Sequence, residues 1–138
     1  MPGKVLDSFA LLAYFRDEPG AEAVENLLVA ASRKDTALLM TEVNYAEVKY
    51  CLIKKNGPAA WNEAANVLPG LPIAFHPATR ELADLAADFK SRVSFSLADA
   101  FAAALASRHK ADLVTGDPEF KAVGKEIKIE WLWPPRAS

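Results

Sequence analysis

At 138 residues, with 51% hydrophobic and 25% charged side chains, the chain is too short for two well-stabilised cores and too apolar to stay disordered. Sixteen Lys and Arg against eighteen Asp and Glu leave a formal charge of -2, which excludes binding to nucleic acid through overall positive charge and leaves only a local basic rim. The one cysteine, Cys51, cannot form an internal disulfide, and no Cys/His cluster has zinc-ligand spacing, so a reducing, cytoplasmic setting without structural zinc is expected.

Lys4-Val5-Leu6-Asp7-Ser8 reads as a short buried strand that gives way to an apolar helix with Phe9, Leu11, Leu12 and Phe15, ended by Asp17-Glu18-Pro19-Gly20. The apolar run is too short to span a bilayer and no small-residue cleavage site follows, so neither a signal peptide nor a membrane helix is expected. Ala21 to Arg33 places Val24, Leu27, Leu28 and Ala31 at helical spacing, and a strand follows at Ala37-Leu38-Leu39-Met40. Thr41 is a good N-cap for a helix carrying Val43, Ala46, Val48, Cys51 and Leu52, with Lys54-Lys55-Asn56-Gly57 as a basic last turn and glycine stop. Pro58 can start another helix through Leu68.

Pro72 to Pro77 suits a short strand or extended connection. Thr79 caps the next helix, with Leu82, Leu85, Ala86 and Phe89, and Ser96 opens an Ala-rich one through Ser107. Asp112-Leu113-Val114-Thr115 is a strand leading into the turn Gly116-Asp117-Pro118, and Lys128 to Leu132 gives the last strand. Strands alternating with helices imply a mostly parallel sheet covered on both faces, with a ligand site beyond the carboxyl ends of its strands.

Four acids fall near that edge. Asp7 closes the first strand, Glu47 lies in the second turn of the helix after the second strand, Asp99 is in the first turn of the Ala-rich helix, and Asp117 follows the Leu113-Val114-Thr115 strand. Each has an ordinary reading: Asp7 and Asp117 as caps, Ser96-Leu97-Ala98-Asp99 as a capping box, Glu47 as helix surface. Together they would repel one another unless a cation or shared protons offset the cost, and hard oxygen ligands suit Mg²⁺ or Mn²⁺ better than Zn²⁺.

The strings Val5-Leu6-Asp7-Ser8-Phe9-Ala10-Leu11-Leu12, Asn44-Tyr45-Ala46-Glu47-Val48, Leu97-Ala98-Asp99-Ala100 and Leu113-Val114-Thr115-Gly116-Asp117-Pro118-Glu119-Phe120 carry a family resemblance over nearly the whole chain. In this order they resemble a PIN-domain nuclease and, within that superfamily, a VapC-type toxin. The resemblance implies a PIN-like three-layer α/β/α fold with a mostly parallel central sheet, one domain over residues 1–138. It puts the family's acidic quartet on Asp7, Glu47, Asp99 and Asp117, Thr115 at the hydroxyl position beside the last acid, and Asn44 at the polar position that often precedes the Glu. Glu42, five residues before Glu47, points about 140° away on the helix and cannot share its site. Asp112 lies on the wrong side of the sheet, and Glu119 is read as solvated.

The activity implied is hydrolysis of RNA phosphodiester bonds with Mg²⁺ or Mn²⁺, where Asp7, Asp99 and Asp117 hold the metal, Glu47 helps hold it or positions the attacking water, and Thr115 orients a carboxylate. No histidine is needed, so His76 and His109 are read as ordinary surface or core residues. Lys49, Lys54, Lys55, Arg108 and Lys110 are candidate phosphate contacts, and Tyr14, Trp61, Trp131 and Trp133 candidate stacking residues, with Tyr14 and Trp131 more at home in the core and Trp133 at an interface. The implied partners are an RNA substrate, tRNA among the candidates, a cognate VapB-type antitoxin lying over the active site, and a second copy of the chain. The alternative is a PIN-like scaffold without catalysis. A dehalogenase-type or receiver domain lacks its paired acids here, and no Gly-x-Gly-x-x-Gly follows any strand.

Overall fold

The computed structural model describes residues 3–132. Five strands, β1 (Lys4–Leu6), β2 (Leu38–Thr41), β3 (Ile73–His76), β4 (Asp112–Thr115) and β5 (Ile129–Trp131), form one sheet in the order β3-β2-β1-β4-β5. Every pairing is parallel, with Val5 opposite Leu39 and Leu113, and Leu6 opposite Val114. The strands read as short apolar runs because both faces are covered: Val5, Leu6, Met40, Leu113 and Val114 are all fully buried.

Six helices supply the cover: α1 (Ser8–Phe15), α2 (Ala21–Lys34), α3 (Glu42–Asn56), α4 (Pro58–Val67), α5 (Arg80–Arg92) and α6 (Leu97–His109). Side chains alternate along a strand, so Val5 and Leu113 face one layer and Leu6 and Val114 the other. The first pair packs with Leu82, Phe89, Phe101 and Leu105 of α5 and α6. The second pair packs with Leu11, Val24, Val48 and Trp61 of α1 to α4. This is the three-layer α/β/α architecture of the sequence reading, with a sheet that is parallel throughout the described residues.

Local chemistry sets the helix ends. Thr41, Thr79 and Ser96 each accept a hydrogen bond from the backbone N–H three residues on, at 2.9, 3.1 and 3.1 Å. Gly57, at φ 89°, ends α3 in a conformation open to glycine at little cost, and Pro58 starts α4 where no helical N–H is needed. Helix α6 lies against the sheet with nine buried residues, six of them Ala, and the small side chains allow a close approach. Several boundaries differ from the sequence reading: β1 stops at Leu6, since Asp7 already caps α1, β2 starts at Leu38 and runs on to Thr41, opposite His76, α6 continues past Ser107 to His109, and β5 is confined to Ile129–Trp131.

The strand order places the site. The chain moves from β1 outward through β2 to β3, then returns to the other side of β1 to lay down β4 and β5. That reversal makes a crevice between the carboxyl ends of β1 and β4. Asp7 follows the first of these strands and Asp117 the second.

Candidate active site

Asp7 is the N-cap of α1 and only 1% exposed. Its Oδ1 accepts from the Ala10 N–H at 2.8 Å, and its Oδ2 accepts from the Thr115 hydroxyl. Thr115, fully buried at the end of β4, accepts in turn from the Asp117 N–H at 3.0 Å. Asp117 Oδ1 then accepts from the Glu119 N–H at 2.9 Å. A single hydroxyl thus ties the acid after β1 to the backbone that carries the acid after β4. Gly116, between them, has no room for a side chain: a Cβ would lie 2.8 Å from Cζ of the Phe9 ring.

Asp99 sits in the first turn of α6 and closes a reciprocal capping box with Ser96, its Oδ2 accepting from the Ser96 N–H at 3.3 Å. The capping role and the place at the crevice coexist in one side chain. Glu47 is half-buried on α3, with the Tyr50 hydroxyl donating to its Oε2 at 3.5 Å. Glu42, at the start of the same helix, is exposed, as is Glu119.

The electrostatics link the four carboxylates. Burial pushes the Asp7 carboxyl up to about 8, against the hydrogen bonds from Thr115 and Ala10, with Asp99 and Asp117 adding to the rise. Asp99 is pushed up to about 6, first by burial, then by Asp117 and, less, by Glu47. Among the described residues every ion pair lies elsewhere, on Glu18, Glu81, Asp112, Glu126 and Glu130. Four acids are therefore gathered at one sheet edge with no cationic side chain set against them. They are not packed into a ready-made cage: among the described residues no three or more His, Cys, Asp or Glu side chains stand close enough to hold a metal ion by themselves.

Asn44 holds this edge together more than its sequence position suggests. It is fully buried, and its Nδ2 donates to Ser8 Oγ at 2.9 Å and to the Ala98 carbonyl at 3.2 Å. Its Oδ1 accepts from the Thr41 hydroxyl, and its backbone carbonyl from Ser8 Oγ at 3.4 Å. One amide thus joins the turns that present Asp7, Glu47 and Asp99. Sequence reasoning placed Asn44 only by motif, because hydrogen bonds across 36 and 54 residues leave no local signature.

The remaining sequence candidates are spread out. Arg108 is paired with Glu81, and Arg108 and Lys110 sit at the far end of α6 from Asp99, at least about 13 Å away along the axis. Lys49 lies over the Trp61 ring at 5.6 Å, and Trp61 is a core residue packed edge-on against Tyr45. Trp131, expected in the core, is 36% exposed on β5, and Tyr14 is half-buried beside Phe15. Trp133 lies outside the described residues. His76 and His109, each read as an ordinary surface or core residue, have ring centres 5.1 Å apart. No helix among the described residues is long and apolar enough to cross a membrane.

The fold has clear counterparts among solved structures. VapBC2 of Rickettsia felis, bound to a DNA fragment from its promoter, matches with a TM-score of 0.73 at 17% identity, covering 92% of this chain and 96% of that one. Mycobacterium tuberculosis VapC20, a toxin that cleaves the sarcin-ricin loop, gives 0.72 at 17% identity over 88% and 95% of the two chains. FitAcB of Neisseria gonorrhoeae gives 0.67 at 20% identity over 96% and 99%. No curated protein matches in sequence. The PIN domain family model matches residues 4–126, and the chain belongs to the PIN domain family.

Proposed function

We propose that this PIN-domain protein is a metal-dependent endoribonuclease, working as a single domain over residues 1–138 and serving as the toxin of a VapBC-type pair. The observation that carries the reading is the unpaired acidic edge: Asp7, Asp99 and Asp117, coupled through space and with no cation beside them. An all-oxygen donor set of this charge fits Mg²⁺ or Mn²⁺, and a loose cluster that relies on water and substrate oxygens to complete the shell suits Mg²⁺ in particular. Asp7, Asp99, Asp117 and Glu47 would hold the ion. When bound, such an ion acidifies a water and neutralises charge on the phosphoryl oxygens of the scissile bond.

The chain's own groups do the positioning. Thr115 and the Ala10 N–H fix the orientation of Asp7 through both oxygens, so the carboxylate is already aimed once it gives up its proton. The Ser96 N–H fixes one oxygen of Asp99, Oδ2, and leaves the other free. Glu47 keeps solvent access on α3, which suits a group that orients the attacking water. Lys49, Lys54 and Lys55 on the same helix are the basic rim available to RNA phosphates, with tRNA among the candidate substrates. The fold shared with toxins solved in VapBC complexes supports a VapB-type antitoxin as partner, and the proposal extends to a homodimer as the working assembly and to a cytoplasmic location.

The alternative, a PIN-like scaffold without catalysis, is favoured by one observation, the lack of a tight cluster of ligands among the described residues. Calorimetric titration of antitoxin-free protein with Mn²⁺, beside Asp7→Asn and Asp99→Asn, separates the two. Saturable binding lost in both folded variants supports the nuclease and directs the search to RNA substrates. Binding absent at millimolar Mn²⁺, or indifferent to both changes, leaves the scaffold reading ahead.

A further inference from the structure

We propose that His76 and His109 form a second, separate metal site that takes a borderline transition metal such as Zn²⁺ through two imidazoles and water. His76 ends β3 and His109 ends α6, 33 residues apart in the chain, yet their ring centres stand 5.1 Å apart with the planes inclined by 68°. A Zn–N bond of about 2.1 Å puts the metal about 3.2 Å from each ring centre, so two imidazoles at a tetrahedral angle have centres about 5.2 Å apart. The observed spacing already meets that requirement.

The surroundings suit a ligand pair rather than a packed core. His109 is exposed and His76 half-buried, in a cleft of about 350 Å³ that also takes in Thr79, Glu81, Leu105 and Arg108. The polar neighbours are engaged elsewhere: Arg108 with Glu81, and Thr79 Oγ1 with the Leu82 N–H. Imidazole selects Zn²⁺, Ni²⁺ or Cu²⁺ over Mg²⁺, which separates this site chemically from the acidic edge. It is separate in space too, since ten residues of α6 put Asp99 and His109 about 15 Å apart along the axis. The consequence is a clamp between an edge strand and the helix whose other end presents Asp99.

The test uses the full chain without an affinity tag, stripped with EDTA and titrated with Zn²⁺ by calorimetry. His76→Gln, His109→Gln and Asp99→Asn are run in parallel. The proposal expects a Zn²⁺ binding event that persists in Asp99→Asn, whatever the acidic edge takes up in the wild type, and that is weakened about tenfold or more by either histidine change. Zn²⁺ affinity indifferent to both histidine changes overturns it, as does no binding up to millimolar Zn²⁺. If a histidine variant fails to fold, Cu²⁺ paramagnetic resonance on Asp99→Asn decides: coupling to two imidazole nitrogens supports the pair, and the absence of imidazole coupling at saturating Cu²⁺ refutes it.

Discussion

Asp7→Asn should stabilise the metal-free protein, and by an amount that grows with pH. The Asp7 carboxyl is raised from 3.8 to about 8, so the fold prefers its neutral form. Stability from that preference is complete below pH 3.8, declines as the pH climbs, and is lost above about 8, where the ionised carboxylate must sit buried among like charges. At about 1.4 kcal/mol per unit of displacement, the full linkage is about 6 kcal/mol. Water drawn to the edge on ionisation relieves part of it, leaving about 2 to 4 kcal/mol to be recovered. Asn matches the neutral acid in shape: its carbonyl keeps the Ala10 N–H, and its amide can donate to Thr115 Oγ1 once that hydroxyl, which donates to Asp7 in the wild type, rotates. Melting curves in EDTA at about pH 5, 7 and 9 should show the Asn variant pulling ahead as pH rises, by roughly 6 to 15 °C at the top. Saturating Mn²⁺ should reverse the order, because only the wild type gains binding energy. A gap that does not change with pH, or an Asn variant less stable at pH 9, would refute the reasoning.

The same protonation state makes Mn²⁺ binding a proton exchange. Titrations in buffers of different ionisation enthalpy should report a release falling from about 1.5 protons per ion at pH 6 to about 0.8 at pH 7.5, with affinity rising toward pH 8, since Asp7 near 8 and Asp99 near 6 must ionise to ligate. Binding that releases no proton would place the ion elsewhere. Asn44→Ala should lower stability by about 2 to 4 kcal/mol in denaturant unfolding, because the Ala98 carbonyl and the Ser8 and Thr41 hydroxyls lose a buried partner together. A loss under about 0.5 kcal/mol would mean water replaces the amide. Gly116→Ala should cost about 1 to 3 kcal/mol by driving its new methyl into the Phe9 ring. Adding Phe9→Ala should recover part of that loss, so a strictly additive double mutant would exclude this contact as the cause.

What the sequence made legible follows how locally each feature is encoded. The limits of α3 came from Thr41 and Gly57, a cap and a left-handed stop that act within a few residues of themselves. The acids Asp7 and Asp117 were legible because they stand one and two residues after an apolar strand, and parallel sheets put such positions on one edge. Motif alone could not show why the edge stays assembled. The Thr115 bond to Asp7 spans 108 residues, and the Asn44 bonds cross between α1, α3 and α6. The histidine pair escaped the same way, since spacing rules look for ligands near in sequence, and here a strand end and a helix end bring them together. Arg108 failed in the opposite direction: its charge looked available, but Glu81 at the start of α5 takes it up. These long-range ties share one cause. The chain reverses course at β1, so residues that serve one edge must come from both halves of the sequence, and the polar side chains that align them must reach across that reversal. Substitutions at Asn44 or Thr115 should therefore disturb the placement of the acids together, whereas neutralising Asp117 should act through charge, easing the upward push on Asp7 and Asp99 without moving the turns that carry them.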